Sequence, residues 1–157
     1  VTHGHEDHTG AVQHVVRDFP GVPIYATPLT RGLLEVKLRE HKLLDKTTLN
    51  TVANNGEITL GPFKVEFFHM CHSIPDNVGL GITTPVGLIV HSGDFKFDHT
   101  PVDGQPPDFA KLAELAGRGV LALLADSTNA ARAKTTTSRI TPAMRCGSRN
   151  SGAMCSA

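Results

Sequence analysis

His3-Gly4-His5-Glu6-Asp7-His8 places three imidazoles and two carboxylates within six residues. Alternate histidines in an extended segment aim two rings at one ion, while Asp7 and His8 reach a second ion nearby. Neutral imidazole and carboxylate together suit zinc, and less selectively manganese or iron. Gly4 and Gly10 are expected to let the backbone bend tightly around such a cluster. The plain alternative is a solvated histidine-rich loop. The spacing, the glycines and the strand-like Val1-Thr2 that precedes them weigh against it.

Outward from this motif the chain alternates helical and extended patterns. Residues 10–19 read as a short helix, with Val12, Val15, Val16 and Phe19 at helical spacing, stopped by Pro20-Gly21. Residues 22–26 read as a buried strand. Thr27-Pro28 starts a longer helix with proline at its first position, running to about Leu44. Leu29, Leu33, Val36 and Leu43 are expected on its inner side. Residues 58–60, 63–68, 78–83 and 88–90 are short β-rich runs, some separated by turns at Gly61-Pro62 and Pro85-Val86-Gly87. Residues 107–117 are again helical, and residues 120–124 form a fully apolar strand. Mixed helices and strands around an antiparallel meander suit an α/β sandwich better than a doubly wound parallel sheet.

Two later polar residues sit just past strand ends, where loops present ligands on a rigid scaffold. His72 lies in Cys71-His72-Ser73-Ile74-Pro75-Asp76, and Asp94 in His91-Ser92-Gly93-Asp94-Phe95-Lys96. Alone, each reads as an ordinary loop residue; their order relative to the first cluster makes them ligand candidates. Cys71 and His72 are neighbours in a strand-like segment, so only one of them should face a metal. His69, His91 and His99 are weaker candidates for supporting the ligands. His14 and His41 read as surface residues, with His41 placed to meet a helix C-terminal dipole.

Composition sets the outer limits. The 157 residues are 39% hydrophobic and 19% charged, as in ordinary globular domains. Fifteen basic residues balance fifteen acidic ones, which argues against a free-standing nucleic-acid-binding module but not against an RNA substrate at bound cations. No apolar run is long enough to cross a bilayer. Three cysteines, Cys71, Cys146 and Cys155, show no zinc-ribbon spacing, and a reducing cytoplasm is the simplest compartment.

The first motif resembles the HxHxDH signature of metallo-β-lactamase-fold hydrolases. That resemblance implies an αβ/βα sandwich with two divalent metals at one edge, most simply zinc, with manganese as the second choice. His3, His5 and His72 would hold one metal, Asp7 and His8 the other, and Asp94 would bridge them. Asp7 and Asp94 are the expected catalytic residues, Asp7 by orienting the attacking hydroxide. Ser73 or Asp76 is expected to steer His72. The segments THGHEDHTG (2–10), HSIPD (72–76), GDFKFD (93–98) and ADSTN (125–129) resemble ribonuclease J in the same order. This implies hydrolysis of RNA by a metal-activated water, in a cytoplasmic protein that is homo-oligomeric at full length. Within ADSTN, Ser127 and Asn129 are open to a phosphate contact or to capping a turn.

The resemblance covers about residues 1–132. It leads one to expect strands before Val1, a later histidine completing the second metal site, and an inserted RNA-holding domain. The sandwich is therefore expected to be partial, and this chain alone poorly active. Residues 133–157 lack periodic apolar pattern and read as an irregular tail, or as the product of a frame slip near Arg132. Rival readings are a hydrolase of a small ester or thioester on the same fold, a non-catalytic partner in RNA degradation, and an inactive fragment.

Overall fold

Alternation of apolar and polar residues beyond residue 56 builds the larger of two sheets. The computed structural model describes residues 1–101 and 103–128. The chain divides into two units, Val1–Asp126 and Ser127–Ala157. Only Ser127 and Thr128 of the second unit are described, so Asn129, Cys146, Cys155 and the irregular tail expected at 133–157 lie outside the described residues.

In the first unit the order is α1 (Glu6–Thr9), α2 (Val12–Asp18), β1 (Ile24–Ala26), α3 (Pro28–Glu40), a 3₁₀ turn at Leu44–Lys46, and β2 (Leu49–Thr51). Then come β3 (Glu57–Leu60), β4 (Phe63–His69), β5 (Val78–Thr84), β6 (Gly87–His91), α4 (Phe109–Gly117) and β7 (Val120–Leu124). β1 and β2 pair in parallel as a two-stranded sheet. β3 to β6 form the expected antiparallel meander. β7 joins β6 in parallel after the α4 crossover, as a parallel connection requires.

Successive residues of β4 point to opposite faces, and this divides the core in two. Phe68 packs with Met70, Leu88, Val90 and Leu115 of α4. Phe67 packs on the other face with Val52 and Val78, flanked by Tyr25 and Leu80. The sheet is thus covered by α4 on one side and by residues from the small sheet on the other. This mixed α/β arrangement agrees with the fold class that the sequence implies.

Two expectations need correction. The buried stripe of α3 is Thr30, Leu34 and Leu38, whereas Leu29, Leu33 and Val36 are 39%, 42% and 52% exposed. Two apolar stripes of similar strength run along this helix; packing on the small sheet selects the one with residues spaced four apart. The apolar strand at 120–124 forms, but Leu121 and Leu123 are more than half exposed. Among the described residues β7 pairs only with β6, which leaves its far side uncovered. No helix among the described residues is long and apolar enough to cross a membrane.

One buried carboxylate, met by two partly exposed cations, fastens α4 to the sheet. Glu66, 5% exposed on β4, takes hydrogen bonds from Lys111 Nζ at 2.8 Å and Arg118 Nη1 at 2.7 Å. Desolvation pushes the Glu66 carboxyl up, but the two cationic donors outweigh it and hold it below the ordinary carboxylate range. Asp108 caps the same helix by accepting from Lys111 N at 2.8 Å. Glu66→Ala removes the buried anion and leaves Lys111 and Arg118 with Glu114 as their anion, and is expected to lower the stability of the chain by about 1–2 kcal/mol. Urea unfolding should show this as a lower midpoint with an unchanged slope; an unchanged midpoint would remove the clamp from the account.

Candidate metal centre

Four chain segments meet at the end of the large sheet where β4 stops, β5 starts and β6 stops. The first runs through residues 1–5. Val78 N at the start of β5 donates to Thr2 O at 3.1 Å, which ties this segment to the sheet. His5 is extended and precedes α1, so His3 and His5 precede the helix and His8 lies on it. The motif is therefore half extended and half a single helical turn, rather than one extended loop. Gly4 and Gly10 serve by their size, not by a left-handed backbone: a Cβ at 4 would lie 2.5 Å from Leu33 Cδ1, and one at 10 would lie 2.7 Å from Glu6 O.

His72 enters from the β4–β5 loop and Asp94 from the segment after β6. Gly93 beside it has φ +62, and a Cβ there would meet Val78 O at 2.8 Å, so both conformation and space require glycine. Ring centroids lie 4.8 Å apart for His3 and His5, 4.1 Å for His3 and His8, and 4.9 Å for His3 and His72. His72 Nε2 is 3.1 Å from His5 Nδ1. Asp94 aims its two oxygens at different rings, Oδ1 at His8 Nε2 (3.3 Å) and Oδ2 at His72 Nε2 (3.7 Å).

The ligand atoms form two overlapping groups, His3–His5–His72 and His3–His8–Asp94, each within 4.8 Å. His3 belongs to both. It is fully buried, and among the described residues its Nε2 has no hydrogen-bond partner. Its Nδ1 is 3.2 Å from Thr2 Oγ1; in the tautomer whose Nδ1–H donates to the threonine, Nε2 is a bare lone pair aimed into the cluster. A buried acceptor with no partner is costly for a fold to keep, and a cation satisfies it. The residues present therefore fit a divalent metal.

Burial, more than the neighbouring imidazoles, pushes His3 down to about 4, and burial likewise lowers His72. Both rings are neutral near pH 7, the form that binds metal. Asp7 stands apart: its side chain is 76% exposed, Oδ2 lies 3.7 Å from His8 Nε2, and it belongs to neither group. Ser73 Oγ is 3.5 Å from a nitrogen of His5 rather than of His72. Asp76 Oδ2 accepts from Leu29 N at 3.0 Å and so caps α3. Of the weaker histidine candidates, His91 Nδ1 accepts from Gly93 N at 2.9 Å, next to Asp94. His69 instead meets Gln105 O, and His99 stacks on Phe109. Cys71 turns its thiol to Gln105 O at 3.1 Å, away from the rings, and burial raises its pKa.

Sequence reasoning missed the supports. Lys37 pairs with Glu6 at 2.5 Å, holding α3 against the motif. Thr27 Oγ1 donates to Asp76 O at 2.7 Å, and Asn77 donates to Asp94 O. Asp126 follows β7, donates its amide to Ser92 Oγ at 3.1 Å, and its charge opposes in small part the burial that lowers the His72 pKa. For Thr27, Asn77 and Asp126 the signal was a polar residue beside a strand end; Glu6 and Lys37 lie within helices and gave none.

Residues 1–126 match the family model described as a β-lactamase superfamily domain. The chain is 49% identical to ribonuclease J of Synechocystis over 131 residues, 83% of this chain and 20% of that protein. It is 48% identical to ribonuclease J 1 of Streptococcus pyogenes, over 83% of this chain and 23% of that one. Ribonuclease J of Helicobacter pylori is 43% identical over 90% of this chain and 20% of its own length. The chain thus spans about a fifth of the length of these relatives. Among solved structures, zinc-bound PqqB of Methylobacterium extorquens matches with TM-score 0.51 and 21% identity, over 80% of this chain and 39% of that one, which is a likeness of fold.

A folded state that keeps His3 and His72 neutral binds fewer protons than the unfolded chain below the ordinary histidine pKa. Stability of the metal-free chain is therefore expected to fall as pH drops from the ordinary value of 6.5 towards about 4, where His3 itself takes up a proton. Above this window the two rings contribute no pH dependence. Urea midpoints across the window, for the wild type and His3→Gln, check this; equal slopes would contradict it.

Proposed function

Since the chain belongs to the β-lactamase superfamily, we propose that residues 1–126 carry the metal-binding centre of a ribonuclease that hydrolyses RNA phosphodiesters. The observation that carries the metal half of this reading is the buried, unpartnered Nε2 of His3 at the junction of two ligand groups. The RNA half is supported by the likeness to proteins named ribonuclease J.

His3, His5 and His72 hold one divalent ion, and His8 and Asp94 hold the second beside His3. Asp94, whose oxygens face rings from different groups, would serve both ligand sets. Zinc is the first choice for four imidazoles and a carboxylate, with manganese as the alternative. When bound, the metals supply an activated water at neutral pH and offset charge on the phosphoryl oxygens. Asp7, exposed beside His8, would act as a hydrogen-bond acceptor at the open side of the second ligand group. The neutral rings of His3 and His72 donate lone pairs without first losing a proton. Ser73 orients His5, and His91 steadies the turn before Asp94.

Elemental analysis of the purified chain is expected to find one to two zinc or manganese ions, with His72→Ala and Asp94→Ala each lowering the content. The polypeptide encoded by the whole gene is expected to degrade a labelled RNA oligonucleotide, with loss of activity on chelation and in Asp94→Ala. Metal-dependent hydrolysis of a chromogenic ester with no action on RNA would overturn the substrate. A folded chain without metal would overturn the centre itself.

A further inference from the structure

Asn77 is fully buried at the head of β5 and belongs to neither ligand group. Its Nδ2 donates to Met70 O at 3.0 Å and to Asp94 O at 2.7 Å. Both neighbours are carbonyls, so the amide can face them in only one orientation. The first bond closes the loop of residues 70–77, together with Met70 N donating to Asn77 O at 3.1 Å. That loop carries His72. The second bond reaches across to the segment that carries Asp94, whose Oδ2 lies 3.7 Å from His72 Nε2. The next residue, Val78, donates to Thr2 O, so the same junction touches the strand-like segment before His3. Gly93 leaves room beside it: a Cβ there would lie 3.4 Å from Asn77 Oδ1.

We propose that Asn77 is a positioning residue, a single buried carboxamide that sets the separation between His72 and Asp94 and hence the geometry of the metal centre. This rests on the metal-centre reading above. The physical reason lies in the two carbonyls, which are polar groups on otherwise independent loops. One side chain with two N–H groups satisfies both and thereby couples the loops. Apart from Asn77, Lys96 N donating to Cys71 O at 2.8 Å also links the two segments. An ionised aspartate has the same shape but no donor, and sets a negative charge against both carbonyls.

The test uses the whole 157-residue chain as wild type, Asn77→Asp and Leu115→Ala. The last opens the core under α4, away from the ligands, and serves as a control for simple loss of stability. Zinc is titrated by calorimetry, and amide hydrogen exchange is measured on the metal-free proteins. Asn77→Asp is expected to weaken zinc binding roughly 10- to 100-fold. It should also speed exchange at the Lys96 amide, while the paired amides of β4 and β5 stay protected. Leu115→Ala, distant from the ligands, should leave zinc affinity within about twofold. Wild-type affinity and exchange in Asn77→Asp would overturn the proposal, as would an equal loss of affinity in Leu115→Ala. Where Asn77→Asp does not fold, Asn77→Ser is read in the same way, since one hydroxyl cannot serve both carbonyls. A wild type that binds no zinc would overturn the metal-centre reading, and the exchange comparison would then decide alone whether Asn77 couples the loops.

Discussion

The burial of His3 is the constraint around which the rest of this structure is arranged. An imidazole removed from water, with one nitrogen lacking a protein partner, is unfavourable unless something else repays its lost hydration. The ring keeps its place because the residues around it are held from several directions. Thr2 contacts its other nitrogen, and Val78 fixes the segment through Thr2 O. The rings of His5, His8 and His72 close around it. The same desolvation keeps the ring uncharged, the form in which an imidazole can bind metal.

The sheet explains why these groups converge. In an antiparallel meander alternate strand ends lie together, so the loop after β4 and the segment after β6 emerge at the same edge. His69 pairs with Val78 and Leu80 with His91, which fixes His72 and Asp94 within reach of each other. α3 works from outside: Lys37 holds Glu6, and Leu33 covers Gly4. Asp76, with φ +61, caps α3 from the far side of the loop that bears His72. Most of the buried polar residues lie along these seams rather than in the apolar core, and Glu66 is the exception, serving α4.

Segments similar to ribonuclease J surround the cluster of His3, His5, His8, His72 and Asp94, and the chain belongs to the β-lactamase superfamily. Two metal-ready groups sharing one histidine suit hydrolysis of several kinds of ester. The proposal of RNA over a carboxylic ester rests on similarity along the chain, not on the shape of the centre. Zero net formal charge fits a reading in which bound cations supply the local attraction for phosphate.

The clustered histidines, the meander and the helices α2 and α3 were legible in the sequence, because each is a local signal. Alternation marks strands, proline and glycine mark their ends, and clustered histidines mark chemistry. His72 and Asp94 were legible too, as polar residues just beyond apolar strands. The inner face of α3 was not, since Leu29–Leu33 and Leu34–Leu38 are comparable stripes and only packing on the small sheet chooses between them. Nor were the outward turn of Asp7, the capping of α3 by Asp76, or the double bond of Asn77. Each of these joins residues distant in sequence, or depends on which way a side chain turns. Sequence alone determined which groups are available to bind metal; the tertiary fold decided which of them meet, because distance and burial are properties of packed segments and not of their order along the chain.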